Sequence, residues 1–355
     1  MDVNAQMDEA RLANLLGRFG ELEILVVGDF FLDKYLIIER ALSETSLETG
    51  LEAYQVVDVQ CSPGAAGSVT SKLAALGAHV ATLGVVGDDG EGYELRRALE
   101  ATGAGTVPLI TQAPGFTPTY TKPMMREPDG REHELNRLDI KNRRPLSIEA
   151  EAQVLDHLRA LVPGVDGVVI ADQVVDPNCG VVTDRVRGAL MQLARAFPDV
   201  IFTVDSRARI GLFQDIVLKP NAREAALALD LAPPPGDGSA AGDRLAVARE
   251  HGRALYRRAR RPVFLTVGDR GILVCDDAGE TLVPAVPVTG EIDIVGAGDS
   301  AMAGIATALC AGATPPEAAL IGNLVASITI QQIGTTGTAT RAQVLARFGE
   351  IGPQP

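Results

Sequence analysis

Tryptophan is absent from this chain of 355 residues, and cysteine and histidine are scarce, with four of each. The cysteines are Cys61, Cys179, Cys275 and Cys310; their spacing is wide and irregular, and none forms a CxxC pair. This spacing disfavours a disulfide framework or a zinc site and makes a reduced, cytoplasmic setting the expectation. The scattered histidines likewise disfavour a His-rich metal site.

Basic residues are in the minority, because 32 Lys and Arg stand against 46 Asp and Glu, a net charge of -14. Nucleic acids and anionic membrane surfaces both need a basic protein face, so we expect neither as a partner. No apolar run reaches the roughly 18 residues of a membrane span. The first twenty residues are polar and lack the apolar region of a signal peptide. A small anionic ligand is not excluded, because a local pocket can oppose the overall charge.

What the chain does contain is a regular alternation of short apolar runs and helix-like stretches. Such alternation predicts a mainly parallel sheet covered by helices on both faces. Residues 35–59 and 117–139 break the rhythm, with alternating or β-branched residues that predict extra strands standing off the main sheet as a small lid. The apolar runs are Ile24–Val27, Val80–Val86, Gly167–Ile170, Val200–Val204, Ile216–Leu218 and Val263–Val267.

The sharpest motif is Asp293-Ile-Val-Gly-Ala-Gly-Asp299, followed by an alanine-rich stretch that predicts a helix. Free backbone N–H groups and the positive end of the helix dipole converge at such a start, which suits a transferring phosphoryl group. Asp299 would stand in the first turn, where a carboxylate can accept the proton of an attacking hydroxyl. The plain alternative is a glycine-rich turn with an acidic residue that complements the dipole.

Other candidates are weaker when each is taken alone. Asn221 and Glu224 could hold a water-bridged Mg²⁺, although Asn-x-x-Glu also fits a helix capping box. Asp33 follows the first apolar run, at the sheet edge where α/β proteins bind ligands, and could accept hydrogen bonds from sugar hydroxyls. The small-residue run 63–69 and the turn 266–271 could border ligands or be turns alone.

Several familiar enzyme motifs are missing. The sequence has no Gly-x4-Gly-Lys-[Ser/Thr] loop, no HRD or DFG segment and no strand-placed GxGxxG. It is therefore not expected to be a P-loop NTPase, a protein kinase or a dinucleotide-binding enzyme. Gly298-Asp-Ser300 has no evident histidine base, which disfavours a serine hydrolase.

The order of the motifs resembles the ribokinase-like (PfkB) carbohydrate kinases over nearly the whole chain. Within that family the chain is most similar to the heptose 7-phosphate kinase half of bacterial ADP-heptose synthesis enzymes. No HxGH motif of a nucleotidyltransferase half is present, so we expect only the kinase step. The family likeness rests on Gly28 and Asp33, Gly64–Gly67, Asn221 and Glu224, and Gly296–Asp299, and the subfamily likeness on Val26–Tyr35, Asn136–Asp139 and Ile333–Thr335.

The resemblance implies one kinase domain over residues 1–355. It would be a three-layer α/β sandwich with a mainly parallel central sheet and a small β-sheet lid, paired through that lid into a homodimer. ATP would be the donor and Mg²⁺ the cofactor, with K⁺ as a further candidate.

The same resemblance assigns roles to individual residues. Asp299 would be the catalytic base, and the amides of Gly296, Ala297 and Gly298 the anion hole. Asp33, Gly64, Ala65 and Ser68 would hold the sugar. The nucleotide and magnesium would lie near Asn221, Glu224, Thr266, Gly268, Gly271 and Asn323, and a monovalent cation near Asp293. For the phosphate of a phosphorylated sugar the candidates are Lys122, Arg126, Arg131 and Arg137, unless they form only a solvated strand face.

The chain departs from the family pattern at four places. One is Ala171-Asp-Gln173, where heptose kinases usually show Ser-Asp-Tyr. Val295 stands where threonine is usual, and Ser68 stands where an asparagine contacts the sugar. Asp205-Ser-Arg207 replaces the Asp-Pro-Lys of heptose kinases, which keeps a cation but changes its geometry.

We therefore predict ATP-dependent phosphorylation of a sugar or sugar phosphate, with D-glycero-D-manno-heptose 7-phosphate, at its anomeric position, as the specific candidate. Two alternatives stay open, a non-catalytic sugar- or nucleotide-binding protein on the same fold and a nucleoside kinase.

Overall fold

A computed structural model describes residues 7–232, 241–334 and 336–351, so Thr335 of the Ile333–Thr335 segment lies outside the described residues. Within these ranges no helix has the length and apolarity needed to cross a membrane. The helices are α1 (Glu9–Arg18), α2 (Ala66–Ala75), α3 (Gly90–Ala101), α4 (Ile148–Leu161), α5 (Asp184–Ala196), α6 (Ala222–Ala228), α7 (Ala241–Ala259), α8 (Ala297–Cys310), α9 (Pro315–Thr329) and α10 (Arg341–Ile351). The strands are β1 (Glu23–Gly28), β2 (Phe30–Glu39), β3 (Glu44–Thr45), β4 (Glu52–Ala53), β5 (Val56–Ala65), β6 (His79–Gly87), β7 (Leu109–Gln112), β8 (Thr119–Arg126), β9 (Glu132–Glu134), β10 (Leu138–Ile140), β11 (Gly167–Asp172), β12 (Ile201–Ser206), β13 (Val217–Leu218), β14 (Val263–Thr266), β15 (Ile272–Asp276) and β16 (Gly279–Val283).

Nine strands in the described part of the chain form the central sheet, in the order β16-β15-β14-β13-β12-β11-β1-β6-β7. Every pairing from β14 to β7 is parallel, and only β15 and β16 run antiparallel to their neighbours. The prediction of a mainly parallel sheet is therefore confirmed.

Both faces of this sheet are buried, and strand β1 shows why. Ile24 and Val26 point into the core formed with α1, α2, α8, α9 and α10, whereas Leu25 and Val27 point into the core formed with α4, α5, α6 and α7. A strand that is buried on both sides needs a continuous apolar run, which is the pattern seen in the sequence. The fold thus has three layers, as predicted.

A second sheet stands off the first, in the order β10-β8-β2-β5, with β9 paired to β8. Its location agrees with the predicted lid, but three of its strands extend beyond the predicted bounds, β10 by the single residue Ile140. Strand β2 begins at Phe30 rather than 35, because the chain leaves β1 and enters β2 after the single residue Asp29. Strand β5 likewise runs on to Ala65, directly into α2. The lid sheet is therefore rooted in the sheet edge at which β1 ends.

Helix α8 is almost entirely buried and packs closely on α9. A Cβ added at Gly304 would lie 2.9 Å from the Cα of Gly322, so the two backbones touch at these glycines. Helix α2 packs on the other side of α8. The start of α8 is thereby held against two helices and the carboxyl ends of the central strands.

Candidate active site

The start of α8 forms a tight turn at the position of the predicted anion hole. Gly296 occupies the N-cap position with φ of 77°, a left-handed conformation that favours glycine. The N–H of Ala297 donates to the Ile294 carbonyl at 3.1 Å, which closes the preceding turn. The N–H groups of Gly296, Gly298 and Asp299 have no such acceptor among the described residues. Three free amides therefore converge at the helix start, and Ala297 is the member of the predicted anion hole whose amide is already used.

Asp299 stands in the first turn of α8, as predicted. Burial raises the pKa of its carboxyl above the ordinary range, and the charge of Lys72, the Ser68 hydroxyl and the charge of Lys219 oppose that rise. The carboxyl is thus a stronger proton acceptor than an exposed aspartate, and the neighbouring cations limit the rise of its pKa.

Lys219 lies on one side of Asp299 and is only 3% exposed. Its Nζ is 2.7 Å from Asp205 Oδ2 and 3.7 Å from the position that a Cβ on Gly298 would take. Burial lowers the pKa of Lys219, but Asp205, Glu224 and Asp299 together oppose it, and the pKa is raised overall. The sequence offers no indication of this role for Lys219, since nothing in the local pattern shows that its amine reaches α8.

Lys72 lies on the other side and is 1% exposed. Its Nζ donates to Ser68 Oγ at 2.9 Å and is 3.4 Å from the position of a Cβ on Gly296. Sequence reasoning missed this residue. The available signal was a single lysine, four residues after Ser68 on the same face of a helix made otherwise of small and apolar residues.

The predicted sugar-binding residues gather where the lid meets the core. Asp33 Oδ2 is 2.6 Å from the position of a Cβ on Gly64, so only glycine permits this approach of β5 to β2. Ala65, next to it, caps α2 with φ of 52°. Ser68 follows in the first turn of α2 and is buried beside Lys72. The structure thus places Asp33, Gly64, Ala65 and Ser68 within one short stretch of the lid–core junction.

The basic side chains predicted in the lid are all paired with carboxylates. Lys122 Nζ lies 3.1 Å from Asp33 Oδ1. Arg137 forms a bidentate pair with Asp139, at 2.7 and 3.0 Å, and its guanidinium lies 4.3 Å from the Tyr120 ring centroid. Arg126 and Arg131 pair with Glu132 and Asp129. In this structure each of these basic side chains is therefore paired with a carboxylate. The three arginines have the arrangement of a solvated strand face, which was the alternative to a phosphate site.

Unpaired basic side chains occur elsewhere, in a cleft of 1030 Å³ at the carboxyl ends of the central strands. Arg143 and Arg144, between β10 and α4, line it and have no ion-pair or hydrogen-bond partner among the described residues. Arg207 also lines the cleft and donates to Gln173 Oε1 at 3.3 Å. In the sequence, the available indication of Arg143 and Arg144 was the basic segment Lys141-Asn-Arg-Arg144, which lies just outside the predicted lid.

Asn221 and Glu224 form the capping box that was the alternative reading of their motif. Asn221 Oδ1 accepts from the Glu224 N–H at 2.9 Å, and Glu224 Oε2 accepts from the Asn221 N–H at 2.8 Å. Burial, followed by the charge of Asp205, raises the pKa of Glu224. No cluster of three or more metal-binding side chains occurs among the described residues. The few oxygen donors of Asn221 and Glu224 therefore fit a Mg²⁺ that takes most of its ligands from water and nucleotide phosphates.

The remaining predicted nucleotide residues divide into two groups. Thr266 pairs with Asn221 as an isolated bridge, which brings the turn of Gly268 next to the capping box. Gly271 and Asn323 instead hold the segment after β16. The Asn323 amide donates to the carbonyls of Val283 and Pro284, at 3.1 and 2.9 Å. The structure therefore gives the Asn323 amide nitrogen a role in packing.

Asp293, the predicted monovalent-cation ligand, lies in the loop before α8. Its Oδ1 accepts from the Val295 N–H at 2.9 Å, and its own N–H donates to the Ile330 carbonyl at 2.8 Å. Val295 itself is exposed. The hydrogen bond to Asp293 comes from the backbone N–H of Val295, which threonine would also supply, so the departure from the family pattern does not remove it.

Comparison with known proteins agrees with this geometry. The "Bifunctional protein HldE" of Pelobacter propionicus is 28% identical over 94% of this chain, which spans 64% of the length of that relative. Phosphofructokinase-2 from Escherichia coli superposes with a TM-score of 0.67 at 16% identity, over 93% of this chain and 99% of that one. Ribokinase from Cryptococcus neoformans gives 0.64 at 18%, over 92% and 99%. The two structures confirm the ribokinase-like fold.

The pfkB family of carbohydrate kinases matches residues 32–342, which include most of the lid, most of the cleft lining and the start of α8. The chain therefore belongs to the pfkB carbohydrate kinase family.

Proposed function

We propose that this carbohydrate kinase transfers the γ-phosphoryl group of ATP to a hydroxyl of a phosphorylated sugar. The observation that carries the proposal is the start of α8, where three free backbone amides and the Asp299 carboxyl lie near the buried amines of Lys72 and Lys219. Amides and cations stabilise the charge that develops on a transferring phosphoryl group, and the carboxylate takes a proton.

The transfer is an in-line displacement. The acceptor hydroxyl oxygen forms a bond to the γ-phosphorus as the bond from that phosphorus to the β–γ bridging oxygen breaks, and ADP leaves with the electron pair. Asp299 Oδ takes the hydroxyl proton. Magnesium, when bound, would neutralise charge on the ATP phosphates, with Asn221 and Glu224 as its water-bridged protein contacts.

The cleft supports a phosphorylated acceptor. Arg143 and Arg144 offer guanidinium groups that no described carboxylate neutralises, and Arg207 lies two residues after Asp205, the partner of Lys219. Guanidinium groups bind phosphate through paired hydrogen bonds. A sugar lying between Asp33 and Asp299 would thus carry its phosphate toward the cleft.

Heptose 7-phosphate is the specific acceptor that we propose. Its support is the relative named bifunctional protein HldE and the segments Val26–Tyr35 and Asn136–Asp139 that resemble heptose 7-phosphate kinases. The phosphorylated hydroxyl would be the anomeric one. A cytoplasmic setting and a monovalent cation such as K⁺ near Asp293 stay predictions that accompany this proposal.

A homodimer paired through the lids is supported by the apolar surface of the lid sheet. Val57 and Val59 on the edge strand β5 are 49% and 50% exposed, and Leu138 on β10 is exposed as well. We expect the double variant Val57→Asp, Val59→Asp to sediment as a monomer where the unaltered chain sediments as a dimer. A monomeric unaltered chain would contradict this pairing.

ADP release with Mg-ATP tests the proposed function. The acceptor panel is heptose 7-phosphate, hexose phosphates, fructose, ribose and nucleosides, each measured beside Asp299→Ala. Turnover of a phosphorylated sugar that is lost in the variant supports the proposal. Turnover of a nucleoside instead would favour a nucleoside kinase. Ligand-dependent thermal protection without any ADP release would favour a non-catalytic binding protein.

A further inference from the structure

Two buried lysines, Lys72 and Lys219, lie near the start of α8, but only Lys219 forms an ion pair with a carboxylate. Lys219 is paired with Asp205 at 2.7 Å. Lys72 forms no ion pair with any described residue and donates one hydrogen bond, to the uncharged Ser68 hydroxyl. An ammonium group has three donors, so two of those of Lys72 are unused.

An unmatched, 1% exposed ammonium is costly in a folded protein unless an anion joins it. Burial lowers the pKa of Lys72, and the charge of Asp299 opposes that effect. Since Asp299 forms no ion pair with it, the carboxylate steadies the charge of Lys72 only from a distance. The group that would complete this environment is therefore a further anion.

The position of the amine identifies where that anion would lie. Lys72 Nζ is 3.4 Å from the position of a Cβ on Gly296, the residue that caps α8 with free amides beside it. The amine belongs to α2, which starts at the lid–core junction, so it approaches the turn from the sugar side. Lys219 approaches the same turn near Gly298, on the side of the Asn221 capping box.

We propose that Lys72 binds the γ-phosphoryl group of ATP at the start of α8 and is a catalytic residue of the transfer. This inference rests on the proposed function, because it takes ATP as the donor. The amine contacts γ-phosphoryl oxygens while the bond to the acceptor oxygen forms and the bond to the β–γ bridging oxygen breaks. It keeps its proton throughout, and the hydroxyl proton goes to Asp299.

Nucleotide binding measured by calorimetry tests the inference without any sugar. The unaltered chain, Lys72→Met and Lys72→Gln are titrated with MgADP and with the magnesium complex of β,γ-imido-ATP. Both variants are expected to bind the imido analogue about tenfold or more weakly, because a charged hydrogen bond to the γ-phosphoryl group is lost. Their affinity for MgADP is expected to stay within about twofold, since ADP has no such group.

Lys34→Met is the matched control. Lys34 lies on the lid strand β2, pairs with Glu91 of α3 at 3.1 Å, and is not part of the site. It is expected to leave both affinities unchanged. If both Lys72 variants kept the preference of the unaltered chain for the imido analogue over ADP, the role of Lys72 would be overturned. The proposed ATP-dependent function would not be affected by that result. Failure of the unaltered chain to bind either nucleotide would overturn the proposed ATP-dependent function together with the role of Lys72.

Thermal unfolding separates this role from a structural one. Removal of an unmatched buried charge in Lys72→Met is expected to raise the Tm of the unliganded chain, while the additional Tm increase given by the imido analogue over ADP is lost. A lowered Tm together with equal weakening of both nucleotides would show that Lys72 serves packing and would overturn the proposal.

Discussion

The chemistry of Asp299 depends on neighbours that are distant in sequence. Burial raises the pKa of its carboxyl, and the cation Lys72 and the hydroxyl Ser68 oppose the rise. The four residues from Gly296 to Asp299 form the turn, but the positive charges come from Lys72 of α2 and from Lys219, just after β13. A general base needs both a suitable geometry and an adjusted pKa, and for the proposed base Asp299 each comes from a different part of the chain.

The pH dependence of kcat/KM follows from this environment. Asp299 must be ionised to take a proton, so the acid limb is expected above the ordinary aspartate value of about 3.9. Lys72→Met removes a charge that favours the carboxylate, so its limb is expected at a still higher pH. Rates measured from about pH 4 to 9 check this. An acid limb at the ordinary aspartate value, or one that moves down in the variant, would contradict the assignment.

Ala65 shows strain at the scale of a single residue. Its backbone has φ of 52° and ψ of -119°, a conformation that costs free energy for any residue with a Cβ. Ala65→Gly is expected to raise the free energy of unfolding by about 1 kcal/mol, measured in urea. Ala74→Gly, within α2 at ordinary helical geometry, is the control and is expected to lower it by about 1 kcal/mol. Equal losses in both variants would argue against strain at Ala65.

At the scale of elements, the position of the catalytic turn depends on how α8 packs. Gly304 meets Gly322 of α9 with no room for a Cβ, since that atom would lie 2.9 Å from the Gly322 Cα. Gly304→Ala is therefore expected to lower the free energy of unfolding by about 1–3 kcal/mol, measured by urea denaturation.

Gly188 on α5 is the matched control, because a Cβ there meets nothing within 4 Å. Gly188→Ala is expected to raise the free energy of unfolding by up to about 1 kcal/mol, since alanine is the better helix former. A Gly304→Ala variant as stable as Gly188→Ala would show that the α8–α9 contact relaxes freely.

At the scale of the whole molecule, the cleft lies at the carboxyl ends of the central strands, and we propose that it selects the acceptor by binding its phosphate. Arg143→Ala with Arg144→Ala removes two unpaired guanidinium groups from the cleft. We expect KM for a phosphorylated sugar to rise by about tenfold or more, because charge-assisted hydrogen bonds to its phosphate are lost, with a smaller change in kcat. Steady-state kinetics check this, with Arg131→Ala, whose side chain pairs with Asp129 on the lid, as the control. An unchanged KM would place the sugar phosphate elsewhere.

Much of this architecture could be predicted from local sequence. The buried strands, the turn before α8 and the lid follow from apolar runs, small residues and β-branched alternation. Lys72 could not be predicted, because its function depends on α2 packing against α8. The ion pairs of the lid arginines could not be predicted for the same reason, since only the strand pairing shows that Arg137 meets Asp139. Sequence patterns indicate which elements form, whereas the matching of charges is decided by tertiary contacts.

The most direct test of the central claim compares the unaltered chain with Asp299→Asn in ADP release, with Mg-ATP and heptose 7-phosphate or the best phosphorylated sugar of the panel. Asparagine keeps the shape of the turn but cannot take the proton. We predict that turnover falls by about 10²- to 10⁴-fold in a variant that remains folded and still binds MgADP. Near-normal turnover by Asp299→Asn would contradict the assignment of Asp299 as the base of the phosphoryl transfer.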